Sequence, residues 1–149
     1  MNRPEYADGN ILVTGESFGI GSAREHAPWA LQQHGFKAVI APSFGDIFFN
    51  NSFKNGLLLI RLPEDEVRKI MDWATGEPGF SLTIDLENQV VDDGHGMKIP
   101  FEVDQFRKHC LLNGLDDVSL TLEHADEITA FEAGRPAWLP TTTVAATAG

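Results

Sequence analysis

The 149 residues carry 11 Lys+Arg against 22 Asp+Glu, a net charge of −11, with 42% apolar residues and one cysteine. A chain of this length forms one domain that buries about two-thirds of its unfolded surface, and its charge opposes nonspecific binding to nucleic acid or to an anionic membrane. Cys110 alone excludes an internal disulfide and the several thiolates that an iron-sulfur cluster takes; with no apolar run of about 18 residues or more and a polar, acidic start, the cytoplasm is the expected compartment.

The chain alternates strand-like and helix-like runs, which predicts an α/β layered domain. Residues 10–14 read as a strand, followed by a glycine loop and a helix that ends near His34 with Gly35 past its last turn. A strand over 38–40 leads to Ser43, a predicted N-cap for a helix from Phe44 to Lys54 that Gly56 closes, and then to a strand over 57–61. Pro63 can start a third helix, in which Val67, Ile70, Met71 and Ala74 recur at core-facing helical spacing before Gly76. Residues 81–85 and 89–91 flank Leu86-Glu87-Asn88 as a hairpin, and 97–103 offer a third strand. Asp104 can cap a helix to Leu112 that Gly114 stops, with Phe106 and Cys110 on its apolar side, and 126–133 read as a final helix before Gly134. The expected domain covers 1–140; the tail 141–149 has no amphipathic period and reads as disordered.

Function concentrates in residues 15–26, G-E-S-F-G-I-G-S-A-R-E-H, directly after Ile11-Leu12-Val13. Thr14-Gly15-x-x-x-Gly19-Ile20-Gly21 resembles the nucleotide loop of short-chain dehydrogenases, where glycines let N–H groups approach a pyrophosphate. The other requirements of that chemistry are not met. The one tyrosine, Tyr6, lies upstream with Asn10 four residues on, and the next strand runs into Pro42 without a ribose-binding acid. Ser22-x-x-Glu25 also fits a capping box, in which case Pro28 would lie inside the helix. If instead Pro28 is the first helical residue, 21–27 form an open turn that can face a ligand.

Gly21-Ser22-x-Arg24-Glu25-His26, then Ala27-Pro28-Trp29-Ala30-Leu31, the run Gly35 to Phe44, and Asn50 to Leu58 succeed one another in an order that resembles the small subunits of bacterial 3-isopropylmalate dehydratase, of the aconitase swivel-domain family. Gly114 to Leu122 and Ile128 to Glu132 are similar to that family's C-terminal part. Ala23 departs from it, standing where many members carry a second serine, and the family's N-terminal segment, with an Asp-Thr-Asp motif and a loop that selects the substrate side chain, has no counterpart in these residues.

The resemblance implies an aconitase-type swivel domain, layered β/β/α with a mixed sheet, N-terminally truncated relative to the family. It implies dehydration and rehydration of a small hydroxy dicarboxylate, with Ser22 as the catalytic base and Ser22, Ala23 and Arg24 as substrate-binding residues. Arg24 would clamp a carboxylate, a geometry that its planar fork suits, and Gly19 and Gly21 would free the loop backbone for close approach. No metal is expected on this chain; the [4Fe–4S] cluster is expected on a large subunit, the partner that completes the site. Alone, the chain is expected to be inactive and able to self-associate. The alternatives are the small subunit of homoaconitase or of another hydro-lyase, and an oligomerising or binding module that kept the fold without the site.

Overall fold

A computed structural model describes residues 8–77, 79–115, 117–122 and 124–136. The chain divides into two compact units, Met1–Asp116 and Asp117–Gly149; the tail expected to be disordered lies outside the described residues.

The first unit begins as three βα steps: β1 (Ile11–Val13), α1 (His26–His34), β2 (Ala38–Ala41), α2 (Asp46–Lys54), β3 (Leu58–Arg61) and α3 (Glu64–Gly76). The strands form a parallel sheet in the order β1-β2-β3, with Leu12 opposite Val39 and Ile40 opposite Ile60. Every residue of β2 is buried, as the central strand of a sheet covered on both faces must be. Alternate side chains divide between two cores. Val39, Ala41, Leu57 and Leu59 pack with Phe44 and Phe48 on one face. Ile40 and Ile60 pack with Leu62, Val67 and Ile70 on the other. Each fully buried aliphatic side chain contributes about 1.5–3 kcal/mol. The predicted α3 stripe is thus a core stripe.

A second sheet joins that latter core. Strands β4 (Thr83–Asp85), β5 (Val90–Asp92) and β6 (Lys98–Pro100) form an antiparallel sheet in that order. Val91, Ile99 and Phe101 pack with Ile60 and Ile70. The expected α/β class is present, with the parallel and antiparallel strands of the described residues in two separate sheets and not in the one mixed sheet expected. The third strand is shorter than 97–103 and ends at Pro100, with the Phe101 N–H still donating to the Gln89 carbonyl at 2.9 Å in the same register. Helix α4 (Gln105–Asn113) starts as predicted: Asp104 accepts from the Arg107 N–H at 3.1 Å, and Gly114 ends it at φ 63°. Its apolar side is not a core face. No α4 residue is buried, Phe106 is exposed and Cys110 is half-buried, so Cys110 is not the core residue that its spacing suggested.

The second unit holds α5 (Asp117–Leu122) and α6 (Ala125–Ala133), the latter within one residue of expectation. Among the described residues no helix is long and apolar enough to cross a membrane.

Candidate functional site

The loop between β1 and α1 lies at the C-terminal end of the parallel strands, where open α/β sheets bind ligands. After Val13 the chain bulges outward and returns to run beside the residues that follow β2. Phe18 donates its N–H to the Ser43 carbonyl at 3.1 Å and accepts from the Gly45 N–H at 2.9 Å, a parallel bridge between Phe18 and Phe44. The bulge is held at Ser17, whose φ of 59° is left-handed and whose N–H donates to Ser43 Oγ at 2.7 Å. Ser43 is therefore not the N-cap of α2. The helix starts at Asp46 with Gly45 in the cap position, and the hydroxyl clamps a loop 26 residues upstream.

Gly19 is the next fixed point. Its φ is 81°, and a Cβ there would stand 2.3 Å from a Phe48 ring carbon. Phe18 in turn packs edge-on against Phe48, with centroids 5.5 Å apart, so α2 braces the loop from beneath. Gly21 differs. Its φ is not positive, and a Cβ would meet nothing within 4 Å, so the freedom expected of both glycines is used at Gly19, while Gly21 leaves open space beside Ser22.

Ser22 is half-buried and Ala23 and Arg24 are exposed. Ser22 Oγ accepts from the Arg24 backbone N–H at 3.3 Å, a local turn typical of serine. Asn51 Nδ2 donates to the Ala23 carbonyl at 3.4 Å, a tie from α2 that the sequence reading missed. Helix α1 starts at His26, with Glu25 in the cap position and no side-chain cap bond. Both local expectations for the helix start are thereby corrected: Ser22 caps nothing, and Pro28 is the third helical residue, where a missing N–H costs nothing because the first turn has no intrahelical acceptors. Pro28 is also fully buried, which anchors the helix start. The open turn thus spans 21–25. Among the described residues the Arg24 guanidinium has no hydrogen-bond or ion-pair partner, so its fork is available.

An iron-sulfur cluster does not fit this chain, whose one cysteine lies in α4; among the described residues no group of three or more His, Cys, Asp or Glu could hold a metal ion.

Three family profiles match in succession: the aconitase C-terminal domain over residues 1–65, LeuD_N over 68–105, and the C-terminal domain of the 3-isopropylmalate dehydratase small subunit over 117–144. A 3-isopropylmalate dehydratase small subunit from Albidiferax ferrireducens is 57% identical over 148 residues, 97% of this chain and 68% of that one. The chain belongs to the 3-isopropylmalate dehydratase small-subunit family. Family members from Polaromonas sp. and Dinoroseobacter shibae are each 58% identical over 94% of this chain, covering 65% and 70% of their own lengths. The chain thus spans about two-thirds of the curated relatives it matches. The crystal structure of 3-isopropylmalate dehydratase (leuD) from Methanocaldococcus jannaschii aligns with a TM-score of 0.62 at 31% identity, over 84% of this chain and 70% of that one. The family membership favours the swivel-domain reading of residues 15–26 over the nucleotide-loop one.

Proposed function

We propose that the chain acts as the small subunit of a 3-isopropylmalate dehydratase, supplying the base and a carboxylate clamp to a site shared with a large subunit. The observation that carries this reading is the Ser22–Arg24 turn, presented at the C-terminal end of β1 with the Arg24 fork unengaged. The substrate class is a hydroxy dicarboxylate. Its dehydration needs a proton removed from a carbon next to a carboxylate, and that carbon acid is weak.

Ser22 takes this proton. A serine hydroxyl does so only if its alkoxide is stabilised, and the Arg24 backbone N–H already donates to Oγ at 3.3 Å; a fixed donor there favours the alkoxide as its charge develops. The Arg24 guanidinium takes the adjacent carboxylate through two N–H···O bonds, which orients the carbon toward Ser22 and offsets the charge that develops on the carboxylate. The Ala23 backbone lines the approach, and the space beside Gly21 admits substrate atoms close to the main chain. We assign the [4Fe–4S] cluster, which assists departure of the hydroxyl when bound, to the large subunit. A cytoplasmic location agrees with a biosynthetic role.

Turnover of isopropylmalate by the chain reconstituted with a large subunit, and its loss in Ser22→Ala, tests the proposal. Activity that survives Ser22→Ala contradicts it.

A further inference from the structure

Two arginines far apart in sequence converge on one phenyl ring. The Arg61 guanidinium carbon lies 4.1 Å from the Phe49 ring centroid, and that of Arg107 lies 4.9 Å from the same centroid and 4.7 Å from that of Phe53. Arg107 Nη2 also donates to Asn50 Oδ1 at 2.9 Å. Neither arginine pairs with an acid among the described residues. In a chain whose acids outnumber its bases two to one, Arg68, Lys69 and Lys98 each find a carboxylate, and Arg61 and Arg107 do not. Stacking on the ring holds a guanidinium flat, with its N–H edge directed away from the ring. Two like charges gathered on one ring repel, and a single carboxylate placed between them relieves the repulsion.

Their position carries the argument further. Arg61 is the last residue of β3, opposite Ala41, at the same end of the sheet where Ser43 holds the 17–19 loop. At that end Ile20 is 73% exposed and Ile47 55% exposed, and Ile20 Cγ2 lies 3.2 Å from the point where a Cβ of Gly45 would stand. Arginine and large apolar side chains form the composition of an interface core, with Asp46 beside Ile47 as an exposed acid at the same end.

We propose that this end of the parallel sheet docks an acidic face of the large subunit, with a carboxylate side chain of that partner bridging Arg61 and Arg107. The proposal rests on the reading of the chain as a small subunit. A protein carboxylate fits better than a free dicarboxylate. Arg61 is exposed, and an exposed pair gains little against water, whereas docking removes that water and strengthens the pair.

The test measures the Kd of the chain for the large subunit by sedimentation, for the native chain and for Arg61→Ala, Arg61→Glu and Arg107→Ala, with thermal midpoints read alongside. Each alanine variant is expected to raise Kd more than about 10-fold, Arg61→Glu more than Arg61→Ala, and added salt is expected to weaken the native complex more than the Arg61→Ala one. Because Arg61 is exposed, its variants keep the native midpoint, so a loss of affinity there does not report unfolding. Native affinity in both Arg61→Ala and Arg107→Ala overturns the proposal alone, as does an unchanged Kd with a raised substrate KM, which assigns the arginines to a free dicarboxylate. Loss of a homodimer in place of the heteromeric complex also overturns it. A native chain that binds no large subunit overturns both the proposal and the functional reading beneath it.

Discussion

Ser43 Oγ accepts the Ser17 N–H at 2.7 Å, and that bond joins the end of β2 to the loop that carries Ser22. Ser43→Ala removes it. Ser17 is exposed, so its N–H turns to water and the expected stability loss is small, about 0.5–1.5 kcal/mol by urea titration. The loss of kcat/KM in the reconstituted enzyme should exceed what that figure accounts for, because the bulge before Gly19 loses its clamp. Equal losses in the two measurements would make Ser43 a residue of stability only.

Gly19 and Phe48 exclude each other's growth. Gly19→Ala combines a left-handed φ of 81° with a Cβ 2.3 Å from the Phe48 ring, for an expected cost of about 2–4 kcal/mol. In a double-mutant cycle with Phe48→Ala, the pair should lose less than the two single changes added together, since the ring carbons at 2.3 and 2.5 Å are gone and only the residue-48 Cβ, 2.7 Å from the new methyl, remains to be displaced. Additive losses would show that φ, not the ring, sets the cost.

Ser52 is fully buried in α2, and among the described residues its Oγ has no hydrogen-bond partner. Ser52→Ala should leave stability unchanged or raise it by about 1 kcal/mol, because a buried hydroxyl without a partner carries a desolvation cost. A drop in the unfolding midpoint would reveal a partner for this hydroxyl in solution.

The turn between β5 and β6 sets an acid limb of stability. The Gly94 N–H on Asp92, helped by Lys98, and the His95 N–H on Asp93, helped by that of Met97, hold both carboxyls below their ordinary value of 3.8. A folded-state pKa below the unfolded one contributes stability that is complete above the unfolded value and lost as pH falls through the folded one. The midpoint should therefore be flat from neutrality to about pH 5 and fall below about pH 4, with a shallower fall in Asp93→Asn. An unchanged acid limb in that variant would remove Asp93 from the account.

The βαβ order, the Gly35 and Gly114 stops and the α3 stripe were legible because each is a local pattern of period or punctuation. The candidate site is proposed from its residue types, and the contacts that support its loop were less legible. Ser43 reads as an N-cap because a serine just before a helix usually is one; its real partner is 26 residues away, and no local pattern reports that. Asn51 was missed for the same reason. Ser22 read as a cap or as an open turn, and Pro28 decided it by a third route, buried within the first turn rather than starting it. Helix α5 went unread because Val118, Leu120 and Leu122 alternate with period two, which is a strand signal.

The most direct measurement of the central claim is steady-state turnover of isopropylmalate by the chain paired with a large subunit, for native, Ser22→Ala and Arg24→Lys forms. Ser22→Ala should lower kcat by about 10²–10⁴ with KM and thermal midpoint near native, and Arg24→Lys should weaken substrate binding by about 1.5–3 kcal/mol. A Ser22→Ala enzyme with native kcat would contradict the assignment of Ser22 as the base.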